Sequence, residues 1–115
     1  MQQPQEPFKR IGVDEAKQLI DEGKVRVVDV RNLDEWQSGH IPQATFMPLP
    51  QILPSGQSTD PNLPGDREQA QLFVCASGQR SAVACEVAHL LGYKELYNLE
   101  GGTIAWMRSG NPVDH

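Results

Sequence analysis

Apolar positions along this chain fall into two kinds of block: residues spaced three or four apart, and short strand-length segments rich in apolar residues. Val13, Ala16, Leu19 and Ile20 lie at helical spacing, with Gly12 as a tolerated N-cap, Asp14 and Glu15 in the first turn, and Gly23 placed to close the helix in a left-handed turn. The β-branched run Val25-Arg26-Val27-Val28-Asp29-Val30 reads as a buried strand ending in the charged Asp29 and Arg31. Asn32 followed three residues later by Glu35 has the form of a capping box and predicts a short helix from Leu33 to Ser38, ended by Gly39. His40-Ile41-Pro42 redirects the chain toward a short strand at Ala44-Thr45-Phe46-Met47.

From Pro48 to Gly65 five prolines stand among Ser, Gln, Asn and Asp, a composition that holds neither a long helix nor a central strand and predicts a surface excursion. Gln71-Leu72-Phe73-Val74 is the next buried strand. It runs into Cys75-Ala76-Ser77-Gly78-Gln79-Arg80-Ser81 and then a helix from about Arg80 to Leu91, with Ala84, Cys85, Ala88 and Leu91 on one face and Gly92 at its end. Glu95 to Leu99 forms another strand, and Gly101-Gly102 starts a last helix through Trp106 that Gly110 and Pro112 stop. Strands alternating with helices indicate an α/β layered fold with a mainly parallel sheet. Residues 1–7, with two Pro and three Gln, read as a flexible polar leader to one domain over residues 8–115.

Composition narrows the function. The 115 residues suit one domain with its own core. Ten basic against fifteen acidic residues give a net charge of −5, the wrong sign for a phosphate-binding face, so nucleic acid is not expected as a partner. Apolar runs are far short of the roughly 20 residues of a membrane helix, and the first residues have no basic, apolar signal pattern, so a cytoplasmic protein without membrane contact is expected. Two cysteines make no disulfide framework, and three scattered histidines give no zinc-ligand spacing.

Cys75 carries the candidate chemistry. It follows a predicted parallel strand and precedes a helix, where α/β sheets bind ligands. Gly78 lets the connecting loop curl so that successive backbone N–H groups converge on one point, beside the positive end of the helix. An ordinary thiol pKa of about 8.5 falls substantially in such a field, so Cys75 is expected to be a thiolate at neutral pH.

The segment from Cys75 to Ser81 resembles the active-site loop of the rhodanese sulfurtransferase family. Val28-Asp29-Val30-Arg31 with Glu35-Trp36 and Gly39-His40-Ile41-Pro42 resembles the family's first signature, and Leu99-Glu100-Gly101-Gly102 through Trp106, Gly110 and Pro112 its closing one. Departures are Gln43, where Gly often follows Ile-Pro, and the long proline-containing stretch; both bear on the shape of the entrance. The resemblance spans about residues 11 to 113 and implies a three-layer fold with a five-stranded, mainly parallel sheet flanked by helices. It further implies that Cys75 takes the outer sulfur of thiosulfate or a persulfide and passes it to a thiol or cyanide, free or on a protein partner. Ala76, Ser77, Gly78, Gln79, Arg80 and Ser81 would hold the bound sulfur, with no metal or organic cofactor required. Related cell-cycle phosphatases place five residues between cysteine and arginine; the four here, 76 to 79, form a smaller ring that suits sulfur better than a tetrahedral phosphate.

Other readings stand beside this one. Arg80 either steers an anionic donor or pairs with a nearby acid. Asp29, Arg31 and Glu35 are expected to tie loops together rather than move protons, His40 to make a structural hydrogen bond, Trp36 and Trp106 to anchor packing, and Cys85 to be a small core residue rather than a resolving thiol. The proline-rich excursion and the lack of further catalytic machinery leave room for a sulfur carrier or protein-interaction module without turnover.

Overall fold

The computed structural model describes residues 6–53 and 66–115. Five strands form one parallel sheet in the order β1-β5-β4-β2-β3: β1 (Lys9–Ile11), β2 (Arg26–Asp29), β3 (Thr45–Phe46), β4 (Gln71–Val74) and β5 (Leu96–Leu99). Helices α1 (Val13–Asp21), α2 (Leu33–Ser38), α3 (Leu49–Ile52), α4 (Gln79–Leu90) and α5 (Gly102–Arg108) alternate with them. No helix among the described residues is long and apolar enough to cross a membrane.

Both sheet faces are covered, and the alternation of side chains along the strands decides which residue goes where. Val28, Phe73 and Leu96 pack against Ala84, Cys85 and Ala88 of α4 and Ile52 of α3. Val27, Leu72, Val74, Tyr97 and Leu99 pack on the other face against Ala16 and Ile20 of α1 and Trp106 of α5. Burial on two faces explains why Val27-Val28 in β2 and Leu72-Phe73-Val74 in β4 are consecutive apolar residues instead of alternating ones.

Local signals translate into ends. Helix α1 stops in a Schellman turn, the Gly23 N–H donating to Ile20 O at 3.0 Å and the Lys24 N–H to Leu19 O at 2.9 Å, with Gly23 at φ 68°. Helix α2 has the expected capping box, the Asn32 N–H donating to Glu35 Oε1 at 3.0 Å. The first part of the proline-containing stretch forms the short α3; residues 54–65 of it, like residues 1–5 of the expected leader, lie outside the described residues.

Strand β1 is an element that the apolar pattern does not announce. Lys9 and Arg10 are exposed and Ile11 is buried, so three residues show a single apolar position; pairing with β5 (Lys9 with Tyr97, Ile11 with Leu99) makes the strand. The neighbouring Phe8 is also buried.

The chain moves outward from β2 to β3 and, on the other side, outward from β4 to β5, so the order reverses between β2 and β4. Crevices in parallel sheets open at such points, beyond the carboxyl ends of the strands. At the end of β2, Asp29 is fully buried and holds Arg31, whose Nη2 donates to Asp29 Oδ2 and to the Gly39 carbonyl, both at 2.8 Å. This pair fastens the β2 loop to the end of α2, the structural role expected from the sequence. Removing one partner strands a buried charge, so Asp29→Ala should lower the unfolding free energy by about 3 kcal/mol or more, measured by urea denaturation.

Candidate active site

Strand β4, buried along its length between β2 and β5, delivers Cys75 to the carboxyl edge of the sheet. Residues 75 to 78 then turn tightly into α4. Gly78, the N-cap, sits at φ 103°, a conformation that a side chain resists, and a Cβ there would already touch Leu99 O at 3.4 Å.

The turn aims donors at the sulfur. The Gly78 N–H points to Cys75 Sγ at 3.1 Å, and Ser81 Oγ lies 3.3 Å from it. Burial pushes the Cys75 thiol up, but the Ser81 hydroxyl and the N–H groups of Ser81, Ser77 and Gly78 outweigh it, leaving the pKa below the ordinary thiol value. Cys75 exposes only 1 % of its surface, while Ser77 and Gln79 of the same loop are exposed.

The loop is held from behind by α5. The amides of Thr103 and Ile104 donate to the carbonyls of Cys75 (2.9 Å) and Ala76 (3.1 Å), turning those oxygens away from the sulfur. So close an approach requires glycine at position 102: a Cβ there would stand 2.3 Å from Cys75 O, and φ is 58°. From β5, buried Asn98 donates through Nδ2 to Gly78 O at 3.0 Å and accepts from Ser81 Oγ. Sequence reasoning quoted Gly102 without this role and missed Asn98; a polar residue inside the otherwise apolar β5 run was the available signal.

Arg80 is brought to the ring but engaged elsewhere. Its guanidinium makes a two-pronged pair with Glu35 of α2, Nη1 to Oε1 at 2.7 Å and Nη2 to Oε2 at 2.8 Å. The Arg80 hydrogen bond lowers Glu35 to about 2, and the same partner raises Arg80. Of the two readings open for Arg80, pairing with an acid is the one observed.

The remaining residues of interest serve packing. The His40 ring stacks on Trp36 with centroids 3.4 Å apart, and its Nδ1–H donates to the Trp36 carbonyl at 2.8 Å. Trp106 is buried, with Nε1 donating to Pro112 O at 2.9 Å. Cys85 is fully buried, its thiol is pushed up by burial, and it donates to Tyr97 O at 3.4 Å, which makes it the expected core residue.

Comparison with known proteins identifies the family and the fold. Residues 12–109 match the rhodanese-like domain model. A sulfurtransferase of Allochromatium vinosum is 37% identical over 98 residues, covering 85% of this chain and 86% of that one. The solved structure of a rhodanese-like domain protein from Staphylococcus aureus is 35% identical, with a TM-score of 0.71 over 86% of this chain and 91% of that one. A human single-domain sulfurtransferase shares the fold at 24% identity, with a TM-score of 0.72 over 89% of this chain and 96% of that one. A cysteine-ended central strand, a tight amide-lined loop and a match of this extent lead to one conclusion: the chain belongs to the rhodanese-like domain family.

Proposed function

We propose that this protein is a sulfurtransferase that carries a sulfane sulfur on Cys75. The observation that carries the reading is the Gly78 N–H and Ser81 hydroxyl directed at Cys75 Sγ within a ring of four intervening residues. The Cys75 thiolate attacks the outer sulfur of thiosulfate or of a persulfide. The donor's S–S bond breaks, sulfite or a thiolate leaves with the electron pair, and Cys75 is left as a persulfide anion. An acceptor thiolate or cyanide then attacks the outer sulfur, a new S–S or S–C bond forms, and Cys75 returns as a thiolate. Capture on the enzyme divides one displacement into two and predicts ping-pong kinetics. Main-chain N–H groups around the ring stabilise the outer sulfur's charge as an oxyanion hole stabilises oxygen.

One observation favours a narrower donor range, and with it a carrier fed by a dedicated partner. The cations at the end of β2 and in the ring, Arg31 and Arg80, are each held by a carboxylate, so neither guanidinium is free to grip a dianion such as thiosulfate. Donors of lower charge, or a protein-bound persulfide, fit this mouth better.

Three measurements test these statements. Intact-mass spectrometry after treatment with a persulfide donor should show one added sulfur on the wild type and none on Cys75→Ser; a folded wild type that stays unmodified overturns the reading. Iodoacetamide should alkylate Cys75 with a midpoint below the usual thiol value of about 8.5, the rate rising with pH as the thiol ionises and falling about tenfold per unit beneath that midpoint. Glu35→Gln should free Arg80 and raise kcat/KM for thiosulfate severalfold while changing turnover of a low-charge persulfide little, as read from steady-state rates with both donors.

A further inference from the structure

The Ser81 hydroxyl has one proton and two acceptors in reach. Its oxygen lies 3.3 Å from Cys75 Sγ, and on its other side it donates to Asn98 Oδ1. The Asn98 carboxamide is fixed in this orientation, because its Nδ2 donates to Gly78 O at 3.0 Å and a reversed amide would set oxygen against oxygen there. Asn98 and Ser81 are both fully buried, so bulk solvent does not reach either group to replace a lost partner.

With Cys75 as a thiol the bonds run in one direction. The S–H donates to Ser81 Oγ, Ser81 donates to Asn98 Oδ1, Asn98 donates to Gly78 O, and the Gly78 N–H returns to the sulfur. When the sulfur ionises, its proton passes to solvent water and the sulfur becomes an acceptor only. The Ser81 O–H then serves the sulfur only by turning away from Asn98, which leaves Asn98 Oδ1 without its donor.

We propose that Asn98 is a positioning residue that acts on Cys75 through Ser81 by competing with the sulfur for the hydroxyl proton. The Ser81 O–H turns to Sγ while that atom carries charge and returns to Asn98 when the charge moves to the outer sulfur of a persulfide. No bond to hydrogen breaks in either turn. The return half of this cycle rests on the sulfur-transfer reading; the competition that begins when the free thiol ionises does not. Its value to the reaction is that Sγ gives up its charge without stranding a buried hydroxyl, so the nucleophile is less strongly held than its full set of donors would hold it.

The charged groups on the surrounding elements are paired or face solvent. Arg80 of α4 is held by Glu35 of α2, and Asp29 of β2 is held by Arg31. Cys85 of α4 is pushed toward its neutral form, and Glu100, between β5 and α5, is exposed to solvent.

The test is the pH dependence of Cys75 alkylation by iodoacetamide without any sulfur donor, with the modified residue identified by peptide mass. Ser81→Ala should raise the midpoint. Asn98→Leu should lower it by about one unit, the worth of a hydrogen bond given wholly to the thiolate. In the Ser81→Ala background, Asn98→Leu should add no further shift. An equal shift in both backgrounds, or none in the wild-type background, overturns the proposal, since Asn98 would then act through Gly78 or not at all. The unaltered protein gives a second reading should Asn98→Leu fail to fold: nitrogen-15 spectra should show the Asn98 side-chain amide titrating at the Cys75 midpoint, with a smaller response in Ser81→Ala. An amide indifferent to that titration also overturns it. Because no sulfur donor is used, these outcomes stand apart from success or failure of persulfide formation.

Discussion

Two buried cysteines in this chain show what the candidate site depends on. Cys75 and Cys85 belong to the same apolar cluster, and burial raises both thiols. Cys85 has only a carbonyl to donate to, and its thiol stays pushed up. Cys75 has the Gly78 amide, the Ser81 hydroxyl and the neighbouring N–H groups, and its thiol moves down. Desolvation is common to the two, so directed donors make the difference, and they act more strongly where water competes less. Removing the aim of those donors would turn Cys75 into another Cys85.

Keeping that aim falls to parts distant in sequence. The turn after β4 would relax if its carbonyls were free to swing, and α5 prevents this by donating two amides to the Cys75 and Ala76 carbonyls across the space that Gly102 leaves open. Strand β5 contributes Asn98, which holds Gly78 from the side. Helix α2 contributes Glu35, which pins Arg80 and with it the first turn of α4. The Asp29–Arg31 pair, tied to Gly39, fixes the far wall in turn. None of these groups need exchange a proton to matter; each limits how far the donors drift from the sulfur.

Much of this was legible in the residues because local chemistry decides it. The capping box at Asn32 and Glu35, the Gly23 stop and the apolar β4 run into Cys75 require only neighbours in sequence, and each lies where its pattern put it. Strand β1 escaped because Lys9 and Arg10 face solvent and pairing with β5 alone makes the strand. Asn98 and Gly102 gain their roles from contacts across 17 or more residues, which periodicity does not encode. The partner of Arg80 lies 45 residues away, so the arginine was visible and its engagement was not. The double glycine at 101 and 102 and the asparagine inside β5 were anomalies on the page, but naming their partners requires the sheet order.

The engagement of Arg80 also changes which force selects the ligand. A free guanidinium attracts any anion over a Debye length of roughly 10 Å at 0.1 M salt, and favours those of higher charge. Amide dipoles closing on a narrow ring act over one hydrogen-bond length and favour what fits between them. With Glu35 taking both outer nitrogens of Arg80, the balance at this mouth moves from charge toward shape. On the proposed sulfurtransferase reading, a sulfur anion of single charge is the ligand for this ring, and four intervening residues argue against a tetrahedral oxyanion. The Arg80 guanidinium holds Glu35 down to about 2, so the pair stays ionised across the neutral range.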